Sequence, residues 1–352
     1  MGQTSGRAVL QVHPTRLCNL RCLHCYSSSG PDVTESIPIT VLSTVVQDAA
    51  GLGYDVLNVS GGEPFLYPEL PALLRAARAA GMRTTVTTNA VALTQRRIGL
   101  VRGLVDLVAV SLDGDRTTHD RIRDQEGSYG KALAGIRRLT EAGIPVGVIT
   151  TLTQGNATQL GEIALAAAES GALLLQVHPL EPEGAANRLM AGERPDAVEL
   201  AYAAVELGRI SQEHGLAVQL DAVPRTMLAR KPEAFMATPI DNDHPLGRWL
   251  TPLVIEANGT AVPVSYGFDR RYALGNIHHR PLADLAACWN ATPFQALCRS
   301  TWQRLVDGRT GPLVPWYGHL VRASRTQRPA TATANTHRSS ITDPATRPPP
   351  TC

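Results

Sequence analysis

From Val9 to about Leu180 the chain repeats one unit: a short apolar run, a loop, then a longer stretch with helical periodicity. Ala8–Val12, Val56–Val59, Arg83–Thr87, Leu107–Leu112, Val146–Leu152 and Leu173–Val177 read as strands. Between them, Ile39–Leu52, Pro68–Ala80, Gln95–Gly103, Gly130–Ala142 and Ala157–Gly171 have the length and the Ala, Leu and Arg content of helices, several ending at glycine. Strict alternation of this kind predicts an α/β fold with a parallel sheet, because strands that run parallel need a crossover of helical length between them. The sheet is either open or curled into a partial barrel, and in both forms ligands sit at the carboxyl ends of the strands. The loops that follow the strands therefore carry the functional reading.

Beyond residue 180 the pattern loosens. Residues 181–195 read as a connector, Ala197–His214 as a helix, and Leu216–Leu220 as a strand that continues the same sheet. After a proline-rich stretch with Pro224, Pro232, Pro239 and Pro245, the segments Leu253–Ala257 and Ala261–Ser265 flank Asn258-Gly259, a strong hairpin signal. Ala273–Ile277 adds a strand, and Leu282–Leu305 has helical periodicity interrupted at Pro293. From about Arg322 onward Thr, Arg, Ser and Pro replace apolar residues, a composition that predicts disorder. The expected organisation is a flexible start over 1–8, a core over 9–222, a small α/β appendage over 223–321 and a disordered tail over 322–352.

Charge and hydropathy exclude several classes of function. With 33 basic and 31 acidic residues the net charge is +2, which offers no bulk electrostatic case for a nucleic-acid partner. No window approaches the ~18 uninterrupted apolar residues of a membrane helix. Met1–Val9 also lacks the basic start and the apolar stretch of ~7–15 residues that a secretory signal needs. A cytoplasmic location is expected. Six cysteines are too sparse here for a disulfide framework, and three of them fall within Cys18–Cys25, so metal is the expected use.

Cys18, Cys22 and Cys25 form a C-x3-C-x2-C run directly after the first predicted strand. Three thiolates can ligate three irons of a four-iron cluster and leave the fourth open to a substrate or cofactor. Structural zinc is the competing reading, with His24 or His13 as a fourth ligand. The absence of a second C-x2-C pair weighs against zinc.

With the following Tyr26, these cysteines resemble the signature of radical S-adenosylmethionine enzymes, in particular the branch that modifies peptides, proteins and certain small metabolites. The resemblance runs from about Val9 to Leu180 and implies a partial (β/α)6 barrel. Gly61-Gly62-Glu63-Pro64, after the second strand, resembles the loop that holds the methionine ammonium of the cofactor; glycines permit close backbone approach and Glu63 has the right sign. Thr87-Thr88-Asn89 and Ser111-Leu112-Asp113-Gly114 resemble the family's ribose and carboxylate contacts. His24 stands where an aromatic residue lies beside adenine, and Thr151 and Asn156 fall in the adenine-contacting region; Asn156 reads equally as a helix N-cap. The pair Gln11-Val12-His13-Pro14 and Gln176-Val177-His178-Pro179 places both Gln-x-His faces on one side of the sheet, so His178 is expected to line a substrate cavity.

Residues 255–264, Leu274–Ile277 and Leu282–Trp289 resemble the C-terminal extension called SPASM or, when short, twitch. The extension's cysteine after the hairpin proline is Val264 here, and residues 312–317 contain no cysteine. One [4Fe-4S] cluster is therefore expected. Cys288 and Cys298 are too few to hold a second cluster and are candidate hydrogen donors to a substrate radical, against the plainer role of small buried hydrophobes.

The resemblance implies reductive cleavage of S-adenosyl-L-methionine to a 5′-deoxyadenosyl radical, an outside flavodoxin or ferredoxin, and hydrogen abstraction from a substrate. A ribosomally made peptide leads as substrate, to be crosslinked or epimerised. A small metabolite of cofactor, sugar or antibiotic biosynthesis is the alternative, and a non-enzymatic cluster-bearing sensor or scaffold is the rival from another class.

Overall fold

In this computed structural model residues 7–181, 183–237, 244–308 and 311–326 are described. Strands and helices alternate as the sequence pattern requires: β1 Val9–Val12, α1 Ile39–Gly51, β2 Val56–Val59, α2 Leu70–Ala79, β3 Arg83–Thr88, α3 Gln95–Val101 and β4 Leu107–Ser111. They are followed by α4 Arg116–Arg123, α5 Ser128–Glu141, β5 Val146–Leu152, α6 Leu160–Glu169 and β6 Leu174–Pro179. After β6 come α7 Ala186–Leu189, α8 Ala197–His214, β7 Ala217–Leu220, β8 Val223–Pro224 and α9 Arg225–Arg230. The C-terminal part holds β9 Leu253–Ile255, β10 Thr260–Pro263, β11 Gly275–Asn276, α10 Leu282–Cys288, α11 Thr292–Asp307, β12 Leu313–Val314 and α12 Trp316–Thr326.

Strands β1 to β7 lie side by side in sequence order, every neighbouring pair parallel, in the sheet of a partial barrel. The two-residue period divides each strand. Leu10 and Val12 of β1, Val86 of β3, Val108 and Val110 of β4, and Leu175 and Val177 of β6 are buried on the helical side. There they meet Leu42, Val45 and Val46 of α1, Leu73 and Leu74 of α2, and Ile136 and Leu139 of α5. Each such aliphatic side chain contributes about 1.5–3 kcal/mol on full burial, so this outer layer supplies most of the driving force.

The opposite faces are polar: Gln11, Asn58, Thr85, Thr87, Thr151, Gln176 and His178 are half-buried and alternate with the apolar set. They bond laterally, Gln11 to His13 at 2.8 Å, Thr85 to Asn58 at 3.2 Å, and Gln176 to Asp221 at 3.0 Å. The barrel thus has a hydrogen-bonding lumen rather than a dry aliphatic one.

The hairpin of the expected appendage takes a different place. β9 pairs in parallel with β1, Leu10 opposite Leu253 and Val12 opposite Ile255, and β10 and β11 follow antiparallel, so all three extend the main sheet. The remaining small sheet joins β12 to β8. The expected break at Pro293 lies earlier, because α10 ends at Cys288 and Pro293 sits in the first turn of α11, where its missing N–H costs nothing. Helix α12 reaches Thr326, past the residue at which the apolar content fades; residues 327–352 of the expected tail and 1–6 of the expected flexible start lie outside the described residues. No helix among the described residues is long and apolar enough to cross a membrane.

Candidate active site

The loop after β1 carries the three cysteines and is fixed by backbone bonds on every side. Cys18 N–H donates to the Gly30 carbonyl at 3.1 Å, Leu23 N–H to Ile122 at 2.9 Å, and the Cys25 carbonyl accepts from Ala185 N–H at 2.8 Å. The loop after β2 locks against it: Gly62 N–H donates to Thr15 and Glu63 N–H to Leu17, at 2.8 and 2.9 Å. Gly61, at φ +117°, has no room for a side chain, since a Cβ there would lie 2.6 Å from the Thr15 carbonyl. The paired glycines are thus explained by the close approach of two loops.

Donors point at the sulfurs. Leu20 N–H and Asn89 Nδ2 lie 3.5 and 3.7 Å from Cys18 Sγ, Ser29 N–H 3.4 Å from Cys25 Sγ, and Arg123 Nη1 3.9 Å from Cys22 Sγ. Burial pushes the Cys18 thiol up to about 12 in the absence of a bound cation. Thiols that are this desolvated, yet ringed by N–H donors, suit thiolates held by metal.

Neither histidine completes a zinc set. His13 is fully buried, with Nε2 on Gln11 and its ring between Tyr26 and Tyr266 at centroid distances of 5.7 and 4.7 Å, and burial lowers it to about 3, so it is neutral. His24 turns to Asp113, Nε2 to Oδ2 3.1 Å. Among the described residues no three His, Cys, Asp or Glu side chains converge as a single-ion site requires. Three cysteines supply one thiolate for each of three irons of an iron–sulfur cluster.

The carboxylates expected to meet a cofactor are used inside the protein. Glu63 is fully buried; Oε1 accepts from Thr88 Oγ1 at 2.7 Å and Phe65 N–H at 3.1 Å, and Oε2 from Asn89 N–H at 2.9 Å. It caps the short turn Pro64–Leu66 and ties the end of β3 to the glycine loop. Asp113 is also fully buried. Oδ1 accepts from Thr151 N–H at 2.9 Å, while Oδ2 takes Arg123 Nη2 at 2.5 Å and His24. The Arg123 and His24 charges hold the Asp113 carboxyl well below the usual range, although burial opposes them.

Behind Asp113, its own N–H donates to His119 Nδ1 at 3.1 Å, which fixes that ring as an acceptor, and burial lowers it to about 4. Asn156 donates from Nδ2 to the carbonyls of Asp113 and Thr151, both at 2.9 Å, so its side chain joins two loops instead of capping a helix. Ser111 is buried at the end of β4 beside this network.

His178 stands at the end of β6, its Nε2 3.0 Å from Thr151 Oγ1, on the lumen face that the two-residue period predicts. Sequence reasoning missed Glu181, two residues beyond the end of β6. Among the described residues no hydrogen bond or ion pair reaches the Glu181 carboxyl, which is pushed up to about 7 by burial and by Glu183. Helix α12 closes over it: Gly318 is so near that a Cβ there would lie 2.7 Å from Glu181 Oε1 and 3.6 Å from Arg322 Nη1, itself buried without a partner. Arg325 of the same helix face bonds Glu183 and the Gly267 carbonyl, the latter at 2.9 Å. Gly184 packs directly on the Cys25 carbonyl, so this rim touches the cysteine loop.

The candidate hydrogen donors are placed elsewhere. Cys298 is buried in the apolar core with Phe294 and Leu297, and Cys288 is exposed at the end of α10, a helix packed against α1 on the outer layer. His24 Nδ1 is a buried ring nitrogen with no partner among the described residues, an unsatisfied atom in the cysteine loop.

Residues 12–164 match the model of the Radical SAM superfamily. The chain is 33% identical over 191 residues to the AdoMet-dependent heme synthase of Methanosarcina barkeri, covering 52% of this chain and 54% of that protein. It is 28% identical over 228 residues to the PqqA peptide cyclase of Ruegeria pomeroyi, covering 63% and 60%. The chain spans about half or less of the length of the first curated relatives it matches. Among solved structures, native anSMEcpe with bound AdoMet and a peptide superposes with a TM-score of 0.64 at 15% identity, over 90% of this chain and 95% of that one, a likeness of fold. Over residues 12–164 the chain is thus similar to the radical SAM superfamily, a likeness that implies a [4Fe-4S] cluster and S-adenosylmethionine.

Proposed function

We propose that the protein is a radical S-adenosylmethionine enzyme that modifies a ribosomally made peptide by crosslinking or epimerisation. The observation that carries the reading is the cysteine loop itself: three thiols with N–H donors aimed at their sulfurs, at the carboxyl end of β1, opening on a polar lumen. Cys18, Cys22 and Cys25 would hold one cluster. When bound, the cluster and its cofactor supply a 5′-deoxyadenosyl radical able to remove a substrate hydrogen atom.

The chain's own residues do the rest. Glu63 and Asp113 position the loops from which Thr88, Asn89, Ser111 and Thr151 are presented, and His24 offers Nδ1 to the ligand. His178 and Thr151 face the lumen, and the Glu181 carboxyl and Arg322 Nη1, which has no hydrogen-bond partner among the described residues, lie where a peptide amide could donate to one and accept from the other. α12 packs against Glu181 at Gly318. A flavodoxin or ferredoxin provides the electron.

The peptide reading is supported by the match to a peptide cyclase, which extends further along this chain than the match to the heme synthase. The latter match favours a second reading, a small metabolite such as a tetrapyrrole. Deuterium transfer separates the two. Reconstituted protein incubated with a deuterated peptide encoded by a short gene beside its own is expected to yield deuterated 5′-deoxyadenosine. Label arriving only from a deuterated porphyrin would replace the peptide by the metabolite.

A further inference from the structure

Arg123 is the last residue of α4, a position from which arginines ordinarily reach into solvent; here its side chain is 9% exposed. The guanidinium forks. Nη2 binds Asp113 Oδ2, and since Asp113 Oδ1 is taken by Thr151 N–H, the pair is held through one oxygen only. The other arm, Nη1, lies 3.9 Å from Cys22 Sγ, and Nε is buried with no partner. The remaining donors to the three sulfurs are neutral: two backbone N–H groups, the Asn89 amide and the Ser27 hydroxyl beside Cys25. Among the described residues Arg123 is thus the one cation that donates to a cysteine of the loop.

Resting on the cluster reading above, we propose that Arg123 sets the reduction potential of the cluster held by Cys18, Cys22 and Cys25. Reduction adds one electron to a group that three thiolates already make electron-rich. A fixed positive charge in a low-dielectric setting stabilises the reduced form, so the potential rises. Asp113 anchors the guanidinium and keeps its charge facing Cys22 while using its own second oxygen on Thr151. Arg123 is therefore a positioning residue whose effect reaches the chemistry through Cys22, with no contact to substrate required.

The test is an anaerobic redox titration of reconstituted protein without S-adenosylmethionine, with the reduced cluster read by electron paramagnetic resonance. It compares wild type, Arg123→Met and Arg123→Lys at about pH 8.5, where an aspartate keeps its charge. Arg123→Met is expected to retain about four irons and to show at least a tenfold lower reduced-to-oxidised ratio at a given potential, about 59 mV for one electron. Arg123→Lys, which restores the charge, is expected to recover most of that shift. An Arg123→Met protein with its cluster intact and an unchanged midpoint overturns the inference. So does one that holds no iron while Arg123→Lys does, because Arg123 then builds the loop instead of tuning it. Wild-type protein without a four-iron signal would instead contradict the cluster reading, and the inference would fall with it.

Discussion

Replacing Cys22 by alanine is expected to lower iron bound after anaerobic reconstitution from about four per chain to near none, with the fold unchanged. Cys22 is half-buried in a loop held by main-chain bonds at Cys18, Leu23 and Cys25, none of which uses its side chain. Removing one sulfur there breaks no main-chain bond, so a cost of about 1 kcal/mol is expected, the centre of the range for single substitutions. The loss falls on the cluster, since two thiolates leave two irons without protein ligands. Iron and sulfide analysis beside a thermal melt checks both halves: a Cys22→Ala protein that keeps four irons would remove that cysteine from the ligand set.

Asp113→Ala is expected to act through stability. The carboxylate is fully buried and answers Arg123, His24 and the Thr151 N–H at once, so its loss leaves a buried guanidinium without its anion. Breaking a buried pair in this way costs about 3–5 kcal/mol. Urea unfolding should show a lower midpoint with an unchanged slope. The pH dependence follows from the depressed carboxyl. In the unfolded chain Asp titrates near ~3.9, and in the folded protein lower, so the contribution is present above the unfolded value and lost as pH falls through the folded one. The gap between wild type and Asp113→Ala should therefore hold from neutral pH into mild acid and narrow only below about pH 4. A gap that already closes near pH 6 would contradict the assigned ion pairs.

Most of the barrel was legible because each β/α unit declares itself within a short window. The six predicted strands and five predicted helices all appear, with shifts of a few residues at their ends. The lumen face was legible too: the two-residue period puts Gln11 beside His13 and Gln176 beside His178 on the same side. What escaped was non-local. Nothing around Leu253 indicates that it lies opposite Leu10 in a parallel ladder, and the hairpin therefore read as a separate appendage. Nothing in the polar run after Val321 indicates that Arg322 and Arg325 continue a helix, because Arg325 is held by Glu183 and Gly318 packs on Glu181, both far off in sequence.

At the site the residue types were legible but not all their roles. The family resemblance implies ligand contacts for Glu63 and Asp113, and in the structure each has both oxygens bonded within the protein. A carboxylate between two loops serves as well to join them as to meet a ligand, and sequence cannot separate the uses. Arg123 left a signal that went unread: it lies one turn from His119, so two polar groups share a face of α4 with buried Ile122 near them. Polar side chains on the apolar face of a helix need buried partners, here Asp113 and Cys22.

The central claim is tested most directly by following S-adenosylmethionine itself. Protein reconstituted anaerobically with iron and sulfide, then given dithionite and S-adenosylmethionine, is expected to release 5′-deoxyadenosine and methionine in a reaction that vanishes in Cys22→Ala. Zinc bound at one per chain, with no cleavage under any reducing condition, would contradict the account and leave the cysteine loop a structural metal site.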